Sequence, residues 1–285
     1  MSSREPLTLA FSVDASYVAG AAVVIASLRA HTPPERPLEV WVVHSELDGH
    51  GLALLQRAAA QSDAALHLRS IARADLELPV RSDYISVATF GRLFLGSLLP
   101  ASLRRVLYLD GDLLVVGALG ELWQTDLAGN VVGAVPEATK GVLGRPRTYE
   151  HPLDPGLDPL APYFNAGVLL IDLPLWRRHR IGERAVAYIQ ANRPPLMDQD
   201  GLNATLRGSW LPLDRMWNVT TYWFRSPSRQ RRYRSLLGRA RIAHYVGHRK
   251  PWLRDDVWRA AEWRAHFDRI SGGAVLPRGN RSEVA

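Results

Sequence analysis

The sequence predicts an α/β protein, a parallel sheet with helices on its faces. Short apolar runs alternate with longer segments of helical character, the pattern of strands joined through helices. The 285 residues are 47% hydrophobic and 22% charged, an ordinary globular balance with enough chain to bury a core without staples. There is no cysteine, which removes disulfides, thiolate metal sites and cysteine nucleophiles and fits a reducing compartment.

Leu7 to Val13 (LTLAFSV) forms the first buried strand, and Tyr17 to Ala30 an Ala-rich helix that stops before Thr32-Pro33-Pro34. Leu38 to Val43 is a second strand, Gly49 to Ala60 a helix and Ala65 to Leu68 a short third strand. Val87 to Leu99 reads as a helix leading into the strand that opens at Val106. Val131 to Val135 and Phe164 to Ile171 are two further buried strands, separated by a Gly- and Pro-rich loop from Lys140 to Pro162 of the kind that covers a site. Trp176 to Gln190 and Asp200 to Leu206 are helical, Arg241 to Tyr245 is a late strand, and Val257 to Ile270 a helix with an aromatic face. Residues 272–285 are expected to be a disordered tail. With no internal repeat or linker, residues 1–271 read as one domain with a variable C-terminal lobe.

The net charge is +7 and the pI about 10.0, much of it from Arg178 and Arg180 and from the run Arg225, Arg229, Arg231, Arg232, Arg234, Arg239 and Arg241. Such charge suits an anionic ligand, an anionic membrane surface or nucleic acid, and a solvated face is the plainer reading. No zinc finger, glycine-rich RNA motif or aromatic-interleaved basic strand supports nucleic acid. The longest apolar stretch, Tyr17 to Leu28, is too short to span a bilayer, which takes about 20 residues. The N-terminus has no secretory pattern. A cytoplasmic protein is expected, with the inner face of the membrane as a peripheral alternative.

The densest chemistry lies in Val106 to Val115 (VLYLDGDLLV), where an apolar run is cut by two carboxylates one residue apart. Unpaired carboxylates are penalised in an apolar interior, and a divalent cation that takes oxygen ligands relieves them. A polar turn between strands would use the same residues. Four other islands break the core pattern. In Phe11 to Tyr17 (FSVDASY) an acid and a tyrosine follow the first strand, where α/β sheets bind ligands, although Asp14 or Ser16 would equally cap the next helix. Phe164-Asn165-Ala166-Gly167 puts an amide and small residues at a strand start, which lets a ligand approach the backbone. Asp198-Gln199-Asp200 places three polar residues ahead of a helix that needs only one cap. His244 to Trp252 offers a histidine, a turn glycine and Lys250, an imidazole to complete a metal shell and a point charge for phosphate.

These motifs together resemble the family 8 retaining glycosyltransferases, the group of bacterial lipopolysaccharide galactosyl- and glucosyltransferases and glycogenin. LYLDGDLLV, FNAGVLLIDLPLWRRH, DQDGLN and HYVGHRKPW carry the resemblance, with ISVATFGRLFLG and FSVDASY as weaker supports. The resemblance implies a GT-A fold, a Rossmann-like mixed sheet flanked by helices with a C-terminal lobe. It divides the domain into a nucleotide-binding half, about 7–116, and a donor/acceptor half, about 117–271. It implies a UDP-sugar donor, Mn²⁺ or Mg²⁺, and transfer of galactose or glucose to a carbohydrate, lipid-linked glycan or secondary-metabolite acceptor with retention of the α configuration.

By motif position, Asp110, Asp112 and His244 would bind the metal, Gly111 lying between the two acids. Asp14 and Tyr17 would hold the base and ribose, and Gly247 and Lys250 the diphosphate. Arg92, Asn165, Ala166, Asp198 and Gln199 would surround the sugar. Gln199 would lie nearest the anomeric carbon, in a catalytic group with Asp198 and Asp200. Two departures stand out. Gly111 replaces a bulkier residue and is expected to loosen the turn, and the Arg225–Arg241 run and the Lys140–Pro162 loop match nothing in the family pattern, so acceptor specificity is expected there. The rival functions are a sugar-nucleotide hydrolase, a nucleotidyltransferase and an inactive UDP-sugar-binding protein.

Overall fold

A computed structural model describes residues 5–45, 47–71, 90–138, 158 and 160–273. Most of the loop expected from Lys140 to Pro162, the start of the helix expected at Val87, and the tail beyond residue 273 lie outside these residues.

The first half follows the expected alternation: β1 (Leu7–Val13), α1 (Val18–Ala30), β2 (Leu38–His44), α2 (Gly49–Gln61) and β3 (Ala64–Ser70). Within the described part of the helix expected from Val87 to Leu99, Phe90 is helical, Gly91–Phe94 tightens to a 3₁₀ turn and the single-turn helix α3 (Leu95–Leu98) follows. Then come β4 (Arg105–Leu109), β5 (Leu113–Val115), α4 (Gly120–Gln124), β6 (Val132–Pro136) and β7 (Phe164–Asp172). The second half holds α5 (Leu173–Arg178), α6 (Ile181–Asn192), α7 (Met197–Leu206), β8 (Leu211–Pro212), β9 (Val219–Thr220), α8 (Thr221–Phe224), α9 (Pro227–Arg232), α10 (Arg234–Arg239), β10 (Ile242–His244) and α11 (Ala260–Ser271).

Among the described residues, the main sheet has seven strands in the order β3-β2-β1-β4-β7-β6-β8, and β5-β10-β9 form a second, three-stranded sheet. β3, β2, β1 and β4 are parallel, but β7 runs antiparallel to both β4 and β6, so the sheet is mixed and not purely parallel. That reversal matters, because it delivers the start of β7 to the carboxyl end of β4. Strand side chains alternate between faces. Leu9, Phe11, Leu107, Leu109, Val168 and Leu170 accordingly join one buried cluster, while Ala10, Val106, Tyr108, Leu169 and Ile171 join the other.

The stretch expected as one helix from Trp176 to Gln190 is two. Asp172 caps α5 by accepting the Leu175 N–H at 2.8 Å, Pro174 suits its first turn, and Arg180 breaks the helix with a left-handed φ of 50°. Nothing local demands that break. Long-range contacts do: Arg177 donates to the carbonyls of Gly96, Leu99, Pro100 and Leu103, ordering the end of α3. Gly182 sits so close to the Leu93 carbonyl that a Cβ would lie 1.9 Å from it. No helix among the described residues is long and apolar enough to cross a membrane.

Candidate active site

The Asp-Gly-Asp turn joins β4 to β5, and the topology brings three other segments to it. The Asp110 N–H donates to the Gly167 carbonyl of β7 at 2.9 Å. β10 pairs antiparallel with β5, setting His244 opposite Leu113, and the Tyr245 N–H donates to the Asp112 carbonyl at 3.0 Å. The first turn of α7 supplies Asp198 and Gln199. Together these segments surround a cavity of about 430 Å³. Tyr17, Arg92, Asp110, Asp112, Asn165, Asp198, Gln199, His244, Gly247 and Lys250 line it.

One oxygen each from Asp110 and Asp112 and a ring nitrogen of His244 lie within 4.8 Å of one another. His244 Nε2 is 3.2 Å from Asp112 Oδ1 and 3.8 Å from Asp110 Oδ2. Two carboxylates and an imidazole suit Mn²⁺ or Mg²⁺, and the groups converge as a ligand set must. Gly167 makes the convergence sterically feasible. A Cβ there would lie 2.2 Å from His244 Cε1 and 2.8 Å from Asp110 Oδ2.

Buried cations balance part of this charge. Asp110 Oδ1 forms an ion pair with Arg92 and accepts the Tyr108 hydroxyl, both at 2.8 Å. Arg92 Nε also forms an ion pair with Asp198 Oδ2 at 2.9 Å, and its Nη1 donates to the Ala166 carbonyl at 2.7 Å. Lys250 Nζ donates to Asp112 Oδ2 and to the Tyr245 carbonyl, and stands 5.3 Å from the centre of the Tyr17 ring. Among the described residues, three carboxylates thus face two permanent cations, which leaves one negative charge for a ligand to offset.

Burial alone would raise the Asp112 carboxyl, but the Lys250 ammonium and His244 hold it well below the usual carboxylate range. Burial pushes the Asp198 carboxyl up to about 6, against the pull of Arg92. Burial opposes the charge on Lys250, yet the Asp112 carboxylate keeps its ammonium above its ordinary value.

Four of the expected residues stand off the cavity wall. Asp14 accepts the N–H groups of Ser16 and Tyr17 at 2.8 and 3.2 Å, forming the turn that presents Tyr17. Gly111 packs beneath Tyr17, and a Cβ there would lie 3.0 Å from its carbonyl. The glycine therefore tightens this turn against α1, contrary to the looseness expected of it. From the other side a Cβ on Gly20 of α1 would fall 1.8 Å from the Gly111 carbonyl.

Ala166 is buried and works through its backbone, its N–H donating to Gln199 Oε1 at 3.0 Å. Asp200 is fully buried, with Oδ1 accepting the Tyr163 hydroxyl and Oδ2 the Leu196 N–H at 2.8 Å. It organises the first turn of α7, and Tyr163 in turn accepts from Gln199 Nε2 at 3.1 Å. The Asp198–Asp200 cluster thus lies inside the helix's first turn, not ahead of it.

Sequence reasoning passed over Pro195, Leu196, Met197, Val246 and His248, which also line the cavity, and Glu137, Tyr163 and Asn218 behind it. The one local hint was a polar tip beside apolar residues, the Tyr108 hydroxyl within β4 and the Tyr163 hydroxyl just ahead of β7.

The family model described as Glycosyl transferase family 8 matches residues 8–256. General stress protein A of Bacillus subtilis is 26% identical, with 88% of this chain aligned to 89% of that one. The lipopolysaccharide 1,2-glucosyltransferase of Escherichia coli is 28% identical, covering 88% of this chain and 74% of the relative. Among solved structures, the galactosyltransferase LgtC in complex with donor and acceptor sugar analogs superposes with a TM-score of 0.76 at 28% identity, over 92% of this chain and 95% of that one. The mixed α/β sheet flanked by helices is the GT-A architecture, the fold this chain has in common with LgtC. A family match through most of the chain, and a solved relative aligned along nearly all of it, make this protein a member of glycosyl transferase family 8.

Proposed function

We propose that residues 1–271 act as one catalytic domain that moves galactose or glucose from a UDP-sugar to a carbohydrate hydroxyl, with retention of the α configuration and dependence on Mn²⁺ or Mg²⁺. The observation that carries this reading is the Asp110, Asp112 and His244 set at the cavity floor. When bound, the metal supplies charge neutralisation for a departing diphosphate. Lys250 adds a second positive charge beside the same carboxylate, and a leaving group that gains negative charge is stabilised by fixed cations in a site withdrawn from water. Tyr17, which meets Trp252 edge-on at 6.1 Å, offers an aromatic wall for the base.

Retention by a two-step covalent route needs a carboxylate free to attack. Asp200 has both oxygens committed to Tyr163 and Leu196, and Asp198 is held by Arg92. Front-face substitution suits these residues better. The bond from the anomeric carbon to the diphosphate breaks, the acceptor oxygen bonds to that carbon on the same face, and the leaving phosphate oxygen takes the acceptor's proton. Asp198 holds sugar hydroxyls, while the Gln199 amide, fixed by Ala166 and Tyr163, stabilises positive charge at the anomeric carbon.

The test is slow hydrolysis of a panel of UDP-sugars, with and without EDTA, followed by proton NMR of the linkage made to a competent acceptor. EDTA should silence the enzyme and Mn²⁺ restore it. Gln199→Ala should lower the rate without abolishing it, since loss of an obligate nucleophile costs far more. Metal-independent turnover would remove the metal from the mechanism, and a β-linked product would remove retention.

A further inference from the structure

The hydrogen bonds behind the carboxylates have a direction, and it ends on His244. Asn165 Oδ1 accepts the Gly167 N–H at 3.0 Å, and Asn165 Nδ2 donates to Glu137 Oε2 at 3.0 Å. Reversing that amide would set its NH₂ against a backbone N–H and its oxygen against a carboxylate, which only accepts. The orientation of Asn165 is therefore determined twice. Its Oδ1 also accepts from Asn218 Nδ2 at 2.8 Å, so Asn218 must turn its own oxygen the other way. That oxygen meets His244 Nδ1 at 2.9 Å, where it requires a donor. Asn165, Asn218 and His244 are 6%, 1% and 3% exposed, so a mismatched pair among them would have little recourse to solvent.

We propose that Glu137, Asn165 and Asn218 form a relay that keeps the proton of neutral His244 on Nδ1 and leaves Nε2 bare for a divalent cation. The proposal rests on the metal reading above and names the residues that make it work. The relay has a competitor to overcome. Asp112 Oδ1 and Asp110 Oδ2 lie 3.2 and 3.8 Å from Nε2, and carboxylates at that range draw the ring proton toward themselves. A proton on Nε2 would block the lone pair that a cation needs. Which ring nitrogen carries the proton is set by what the other one touches. Asn218 precedes β9 and His244 ends β10 in the small sheet, whereas Asn165 lies in β7 of the main sheet and Glu137 follows β6. The tautomer of one side chain therefore depends on the two sheets being held together. Asn218 reaches the cavity only through His244 and Asn165, which makes it a positioning residue.

The test is long-range ¹H–¹⁵N NMR of metal-free, ¹⁵N-histidine-labelled protein at mildly alkaline pH, with Mn²⁺ titrations followed by electron paramagnetic resonance in the absence of any nucleotide. Wild type should show His244 as the Nδ1–H tautomer. Asn218→Leu should move the proton to Nε2 and weaken Mn²⁺ binding by about 10–100-fold, the usual effect of losing a partner that orients a metal ligand. Asn218→Asp retains an acceptor for Nδ1–H and should keep the wild-type tautomer. If the leucine variant does not fold, the wild-type and aspartate spectra still decide. A wild-type Nε2–H spectrum, or a folded Asn218→Leu with the Nδ1–H tautomer and undiminished Mn²⁺ affinity, would overturn the relay. Nδ1–H in a protein that binds no Mn²⁺ would instead refute the metal reading and leave the tautomer assignment standing.

Discussion

Gly167→Ala adds one methyl group behind the ligand set, nearest to His244 and Asp110 among the side chains of the cavity wall. The new carbon would lie 2.2 Å from His244 Cε1, 2.9 Å from Nδ1 and 2.8 Å from Asp110 Oδ2. Carbon atoms in contact normally stand about 3.5–4.0 Å apart, so the imidazole must retreat by more than about 1 Å or β7 must move away from β4. The ring has little freedom to retreat. Asn218 holds Nδ1 at 2.9 Å, and the β10 backbone is paired with both β5 and β9. Overpacking of this kind costs about 1–3 kcal/mol of stability. Its effect on the metal should be larger than its size suggests, because metal–ligand distances tolerate only about 0.2 Å. We expect Mn²⁺ affinity to fall at least about 10-fold, equivalent to about 1.4 kcal/mol, with turnover falling alongside it. The assay is Mn²⁺ titration by electron paramagnetic resonance, with a thermal melt to confirm folding and metal-free UDP binding as a control for the rest of the cavity. Gly167→Ala with wild-type Mn²⁺ affinity and an unchanged melting temperature would refute the steric argument.

Asp112→Asn should nearly abolish turnover and also strand the Lys250 ammonium, which is buried; breaking a buried pair costs about 3–5 kcal/mol, measurable by urea denaturation. The raised Asp198 carboxyl makes folded protein the better proton binder, so stability should fall as pH rises from about 4 through 6, by at most about 3 kcal/mol across that interval. Asp198→Asn should flatten that slope in urea midpoints taken across the interval, and an unchanged slope would remove Asp198 as its source. Gly111→Ala should lower the melting temperature by less than Gly167→Ala, since its Cβ meets Tyr17 at 3.0 Å and not 2.2 Å. Arg231→Gln with Arg234→Gln, in the exposed part of the arginine run, should leave UDP-sugar hydrolysis unchanged while weakening any anionic partner in a salt-dependent way.

The first half of the sheet and the identity of most of the cavity wall were legible in the order of residues alone. β1, α1, β2, α2 and β3 could be read because each is a local pattern, an apolar run or an Ala-rich stretch bounded by proline, glycine or a cap. Asp110 and Asp112 stood out because carboxylates inside an apolar run are costly without a purpose, and His244 and Lys250 because a histidine, a turn glycine and a lysine share one short segment.

Relations between distant segments emerged only with the folded chain. The antiparallel course of β7 cannot be read from its apolar face pattern, since a strand buried on both sides looks the same in either direction. The break at Arg180 follows from Arg177 reaching the end of α3, and the compactness of the Asp-Gly-Asp turn follows from Gly20 on another helix. Asp200 resembled a catalytic acid in sequence, and the fold commits both its oxygens to Tyr163 and Leu196. Asn218 gave no sign at all, because a lone asparagine ahead of a short strand has meaning only once Asn165 and His244 lie on either side of it. Local patterning records which surfaces must be buried, whereas register, strand direction and hydrogen-bond polarity are set by partners that the fold brings in from elsewhere in the chain.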